Sequence, residues 1–181
     1  TTLRETYPQM ALRIDMGSAM TTMLDEGDDP LPVLKRLAQL NIAYVEDPVS
    51  SKLIDLLPSD VVPLGLDLVT TPYERALEAV ERSQIRVLVL KPHLCGSFAR
   101  AFTLARTARA RGVTVVLSSL YDSPVGICAL LHLAVALGLD GAHGLNTLSL
   151  IYPHPCPSLR PGRDGRIVVP SGPGLGLKPG A

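Results

Sequence analysis

Ile85–Lys91 reads IRVLVLK, and Ser97–Arg111, which follows it, reads SFARAFTLARTARAR. The first segment is apolar on both of its alternating faces, which a strand tolerates only when both faces are covered. The second has helical length, is rich in Ala and Arg, and stops at Gly112, the residue type that best ends a helix. A fully covered strand followed by a helix is the repeating unit of a parallel α/β fold.

The same unit recurs on both sides. Upstream, Met10–Asp15 (MALRID), Ile42–Glu46 (IAYVE) and Val61–Asp67 (VVPLGLD) read as strands. Between them lie helices at Pro30–Leu40, whose leucines share one face, at Ser51–Leu57, and at Thr71–Arg82. The last has Thr71 placed as N-cap and Pro72 at the first helical position. Downstream, Val113–Ser119 (VTVVLSS) is a strand, Pro124–Leu137 a helix, and Gly141–Leu145 a last short strand. Strand and helix alternate about six times. An open doubly wound sheet and a closed (β/α)8 barrel both satisfy that alternation, and a barrel needs eight units and about 250 residues. The chain is about two units short of one.

From Leu148 onward the composition changes to Pro- and Gly-rich sequence, with one short strand expected at Arg166–Val169. The expected division is residues 1–147 as a partial barrel with a metal site and 148–181 as a tail packing back toward the barrel or a cap. TTLRETYP at the start reads as the last turns of a helix already under way, so the natural protein is expected to begin elsewhere.

Composition narrows the function. The 181 residues carry 17 basic and 17 acidic side chains, for a formal net charge of +0. That balance gives no electrostatic reason to expect nucleic acid or an anionic membrane as partner. Aromatic residues are 4% with no Trp, which disfavours a base-stacking surface. The longest apolar stretch, Ile127–Leu139, is broken by His132 and Gly138 and is too short to span a bilayer. Three widely spaced cysteines, Cys95, Cys128 and Cys156, match no zinc or redox spacing and suit a reducing compartment. The cytoplasm is the expected location, or a plastid in a photosynthetic eukaryote.

Four strands close on a charged residue: Asp15, Glu46, Asp67 and Lys91. Carboxyl ends of parallel strands are where such folds place ligands and catalytic groups. The intervals, about 20 to 30 residues each, are roughly one strand–helix unit, so the four side chains are expected to converge. One acid at a strand end is ordinarily a helix cap or a solvated loop residue; three on consecutive strands ask for a cation. Oxygen ligands suit Mg²⁺ or Mn²⁺ rather than zinc. A metal and a lysine together would stabilise the negative charge of an enediolate.

At these residues the chain resembles the enolase superfamily. LRIDMG is similar to the family's third-strand LRxDAN, YVEDP to the fourth-strand xxEEP, PLGLDL to the fifth-strand xxxDE, and VLKPHLCGS to the sixth-strand xxKPxxxGG. VVLSSLYDSPVGICALLHLAVAL resembles the seventh-strand pattern of serines, an acid and a Gly before an Ala/His/Leu helix, and the tail GRIVVPSGPGLGL is also similar. HGLNT at His143–Thr147 looks like the GLDT of the o-succinylbenzoate synthases.

The resemblance implies a partial barrel of strands three to eight, with Asp15, Glu46 and Asp67 ligating Mg²⁺ and Lys91 stabilising the enediolate. Ser118, Ser119 and Gly144 would help bind a small carboxylate substrate. The implied reaction is dehydration of 2-succinyl-6-hydroxy-2,4-cyclohexadiene-1-carboxylate to o-succinylbenzoate, in menaquinone or phylloquinone synthesis. The family's proton-abstracting Lys-x-Lys pair has no counterpart among Lys35, Lys52, Lys91 and Lys178. The implied partner is therefore the N-terminal half of the same polypeptide, and the chain alone is expected to be inactive. Three readings stay open: the synthase; an N-succinylamino acid racemase, dipeptide epimerase or muconate cycloisomerase; and a non-catalytic barrel remnant. A homo-oligomer is also left open.

Met16-Gly17, Asp47, Leu68 and Asp122 depart from the family residues beside these ligands, and such neighbours tune metal affinity. Of the histidines, His132 reads as a packed helix residue, His93 as a loop residue near the strand end, and His154 as exposed. The arginines of 100–111 read as the solvated face of a helix.

Overall fold

A computed structural model of the chain describes residues 2–151 and 156–177. His154 and Lys178 lie outside the described residues. Five strands form one sheet: β1 (Leu12–Asp15), β2 (Ile42–Glu46), β3 (Leu64–Asp67), β4 (Val87–Leu90) and β5 (Thr114–Leu117). Among the described residues six α-helices accompany them: α1 (Thr2–Thr6), α2 (Met20–Asp25), α3 (Leu31–Gln39), α4 (Tyr73–Glu81), α5 (Phe98–Ala110) and α6 (Pro124–Ala136). The strand order is β1-β2-β3-β4-β5, and β1·β2, β2·β3 and β3·β4 pair in parallel. A doubly wound sheet reverses its strand order at a switch point; this one never does. Consecutive order is that of a (β/α)8 barrel, here a partial one.

The chain divides into two compact units. The first comprises residues 1–89 and 106–115. Its core is Leu34, Val45, Ile54, Leu64, Leu66, Ala76, Val80 and Leu88, all fully buried. β3 and β4 are buried along their whole length, as their unbroken apolar sequences require. Gly65 lies where a Cβ would meet Tyr44 Cδ2 at 3.3 Å, so the missing side chain lets β2 and β3 close up. The Arg4 guanidinium fastens α1 by donating to the carbonyls of Leu40 and Asn41, each at 2.9 Å.

One expectation fails in this unit, and one helix goes unannounced. MTTMLD forms helix α2, absent from the expected elements although Met20, Met23 and Leu24 have helical spacing; buried Met20 anchors it, and Thr21 Oγ1 accepts the Ser50 N–H at 2.8 Å. Thr71 does not cap α4: the helix starts at Tyr73, and Thr71 Oγ1 is buried without a hydrogen-bond partner among the described residues. Pro72, at φ −56 and ψ 148, starts the helix on its own ring-fixed geometry instead.

The second unit comprises residues 90–105 and 116–181. Ile127, Leu130, Leu133 and Ala134 of α6 are buried, which accounts for its sequence being apolar nearly all round. Ser123 caps it, accepting from the Gly126 N–H at 3.3 Å. His132 is half-buried, and its Nε2 lies 3.3 Å from the carbonyl of Leu175, a packed role as expected.

The strand expected at Gly141–Leu145 reduces to one bridge, Ser118 to Gly144. Gly144 N–H donates to Leu117 O at 2.8 Å and Ser119 N–H to Gly144 O at 2.9 Å, but Leu117 N–H goes to His143 Nδ1 at 3.3 Å. The imidazole takes the donor that a longer ladder would need. Arg166–Val169 forms no strand either; Val168 is 78% exposed, with no neighbouring backbone ladder among the described residues. Arg100, Arg106, Arg109 and Arg111 are exposed, as a solvated helix face should be.

Candidate active site

In the first unit the strand ends carry the acids. Asp15 and Glu46 are direct strand partners, and Glu46 in turn pairs with Gly65, two residues before Asp67. Residues two apart on a strand share a face, so Asp67 stands one pleat further along the side to which Gly65 belongs. Asp67 is buried, Glu46 half-buried and Asp15 exposed.

Their local contacts differ. Asp15 Oδ1 accepts the Gly17 N–H at 2.9 Å, and Asp67 Oδ1 accepts the Val69 N–H at 2.9 Å. Both turn back on their own loops, a habit of short acidic side chains. Glu46 has no such escape. Burial first, then the charge of Asp67, a hydrogen bond with the Asp67 carboxyl, and the charges of Asp15 and Asp47 push its carboxyl up to about 8. Beside neighbouring negative charge, a half-buried carboxyl favours its protonated form.

The structure thus brings Glu46 and Asp67 together, with Asp15 on the adjoining strand turned to its own loop. As the side chains stand, no three acidic, histidine or cysteine residues among those described are grouped to hold a metal ion. The donor set itself is all carboxylate oxygen, crowded enough to raise the Glu46 carboxyl. That chemistry fits a hard divalent cation such as Mg²⁺ or Mn²⁺.

Asp47, which follows Glu46, is 2% exposed and has φ +43. Its Oδ1 accepts the Asp67 N–H at 2.9 Å and its Oδ2 the Thr70 hydroxyl at 2.5 Å. Burial raises its carboxyl, opposed by those two hydrogen bonds. Sequence reasoning saw this position only as a departure from the family's second Glu.

In the second unit Lys91 follows β4 directly and is buried. Pro92–Cys95 forms a 3₁₀ turn that returns to its carbonyl, with the Leu94 N–H at 2.9 Å and Cys95 Sγ at 3.9 Å. Burial pushes the Cys95 thiol up to about 11, so it is no nucleophile at neutral pH.

Ser118, Ser119 and Gly144 do come together here. Ser119 Oγ lies 2.9 Å from Gly144 O and 3.0 Å from Thr147 Oγ1. A Cβ on Gly144 would stand 2.9 Å from Ser118 Oγ, so a larger residue here would oblige the Ser118 hydroxyl to move. His93 Nε2 and Asp122 Oδ1 are 2.7 Å apart, with Asp122 buried and its Oδ2 accepting the Leu120 N–H at 3.1 Å. The two are almost thirty residues apart in sequence, and no local pattern could have paired them.

A run of parallel strands in consecutive order, acidic at the carboxyl ends, defines a (β/α)-barrel segment of the kind that houses enzyme active sites. The chain belongs to the enolase C-terminal domain-like family, which it matches over residues 1–180.

It is 27% identical to N-succinylamino acid racemase of Thermus thermophilus over 180 residues, 97% of this chain and 47% of that protein. It is 28% identical to o-succinylbenzoate synthase of Proteus mirabilis over 149 residues, 82% of this chain and 46% of that one. Dipeptide epimerase of Cytophaga hutchinsonii, solved with Mg and the dipeptide D-Ala-L-Val, shares its fold: TM-score 0.81 at 22% identity, over 96% of this chain and 48% of that one. The chain spans about half the length of the curated relatives it matches. Among the described residues no helix is long and apolar enough to cross a membrane.

Proposed function

We propose that residues 1–181 form the metal-holding part of an o-succinylbenzoate synthase-type lyase whose remaining elements lie elsewhere in a longer polypeptide. The observation that carries this reading is the crowding of carboxyls at consecutive strand ends, which holds Glu46 up to about 8. The likeness to the Proteus synthase supports the choice of reaction.

Asp15, Glu46 and Asp67 would hold Mg²⁺, which when bound offsets the negative charge that grows on a substrate carboxylate as its α-proton leaves. Lys91 would supply a fixed positive charge of the kind that stabilises an enediolate. Ser118, Ser119 and Gly144 would seat the carboxylate or succinyl group of the substrate.

Lys35 and Lys52 are exposed, on α3 and on the 3₁₀ turn Ser51–Leu56, and neither ends a strand. The base that takes the α-proton would come from outside residues 1–181, and loss of hydroxide follows proton removal. Work of this kind suits the cytoplasm.

A second reading is racemisation of an N-acylated amino acid, favoured because the likeness to the Thermus racemase runs through nearly the whole chain. Both reactions begin by removing a proton next to a carboxylate, so the corner of acids serves either.

The test is turnover by the complete protein containing this chain. With Mg²⁺ present, it should convert 2-succinyl-6-hydroxy-2,4-cyclohexadiene-1-carboxylate to o-succinylbenzoate, followed by absorbance. Activity confined to N-succinylamino acids would replace the lyase reading with the racemase reading; activity on neither would end both.

A further inference from the structure

Asp47 is fastened to the ends of three strands at once. Its N–H donates to Gly65 O on β3 at 3.0 Å, and its carbonyl accepts the Ser18 N–H, just beyond β1, at 2.7 Å. Its carboxylate takes the N–H of Asp67 at 2.9 Å and the hydroxyl of Thr70 at 2.5 Å. It is itself the residue after β2, and it is 2% exposed. Every polar group it owns is therefore engaged, and each engagement goes to a strand or loop that bears one of the three acids.

The backbone makes this possible by an unusual bend. At φ +43 Asp47 occupies the left-handed region, which aspartate tolerates better than most residues do. That bend follows directly on Glu46, the last residue of β2. The side chain returns across to β3, where a carboxylate accepting a backbone N–H makes one of the stronger hydrogen bonds available.

We infer that Asp47 is a positioning residue: by holding Asp67 and Thr70 with its side chain and Ser18 with its carbonyl, it sets the spacing of Asp15, Glu46 and Asp67 and so the affinity for a divalent cation. The inference rests on the cation-holding role proposed for those three residues. Asp47 does not touch the cation; it decides where the groups that do so stand. Supporting residues around metal ligands are typically worth 10–100-fold in metal affinity.

The test uses the complete protein, with free Mn²⁺ followed by electron paramagnetic resonance and folding followed by thermal melting. Asp47→Ala should weaken Mn²⁺ binding about tenfold or more. Asp47→Asn, which keeps an acceptor for the Asp67 N–H and a polar partner for Thr70, should stay within about threefold of the wild type, because the role is geometric. Thr70→Val, an exposed loop position, should weaken Mn²⁺ severalfold with little change in melting temperature, which keeps the test open if Asp47→Ala fails to fold. Unchanged Mn²⁺ affinity in both Asp47→Ala and Thr70→Val would overturn the inference. Equal losses in Asp47→Asn and Asp47→Ala would overturn it too, by showing that charge rather than position matters. A wild-type protein that binds no Mn²⁺ would instead defeat the cation reading, a separate result.

Discussion

At the ends of β1, β2 and β3 the polar side chains are Asp15, Glu46, Asp47 and Asp67, and the second of these is driven up to about 8 by burial and by the others. At the end of β5 and in the loop that bridges to it, Ser118, Ser119 and Gly144 meet no such conflict. The Ser119 hydroxyl already has Gly144 O and Thr147 Oγ1, and the neighbouring N–H groups are spoken for. The acidic corner is built at a cost that a bound cation would remove; the serine–glycine corner is complete as it stands. The two regions differ in charge and in how far their polar groups are already paired.

The sharpest way to break the contrast is to remove an acid. Asp67→Ala or Glu46→Ala in the complete protein should lower kcat/KM by about a thousandfold or more, since a metal contributes several kcal/mol of charge stabilisation. Steady-state turnover with Mg²⁺ checks it, and retained activity would contradict the metal assignment.

Chelation is the next largest effect. Mg²⁺ at about a hundred times its Kd should raise stability by about 2.7 kcal/mol. The gain should appear in wild type and in Ser119→Ala and vanish in Asp67→Ala, read as melting temperature with and without EDTA. A Mg²⁺ gain in Asp67→Ala would place the cation elsewhere.

Gly144→Ala tests the other corner. The new Cβ would lie 2.9 Å from Ser118 Oγ, inside ordinary contact. Overpacking of this kind costs about 1–3 kcal/mol, measured by urea unfolding, while Mn²⁺ affinity should hold. Ser119→Ala should show the smallest change, about 1 kcal/mol of stability for its lost hydrogen bonds, with KM rising more than kcat falls. A fall in kcat at constant KM would remove Ser119 from substrate binding.

The candidate acids were legible because parallel strands covered on both faces read as uninterrupted apolar runs. The first charge after such a run marks its carboxyl end. Glu46 and Asp67 each close a strand by that rule, and Lys91 lies one residue past β4; Asp15 closes β1, where Arg13 interrupts the run. Helix α5 and its stop at Gly112, φ +72, were equally plain.

Three of the misses share a cause: each depended on a partner distant in sequence. Met20 anchors α2 only because a core exists to receive it. Gly141–Leu145 fails to extend as a strand because His143 claims the N–H of Leu117, 26 residues away. The pairing of His93 with Asp122 belongs to the same class.

Sequence alone determined the alternation of strand and helix and the charges at the strand ends, since burial on two faces and helical period are properties of short segments. Tertiary structure decided the strand order that makes the fold a barrel segment rather than a doubly wound sheet. It also decided that Glu46 meets Asp67 while Asp15 turns aside, and that Asp47 binds three strand ends together. Those outcomes rest on hydrogen bonds and Coulomb interactions between residues far apart in the chain, which no local pattern can encode.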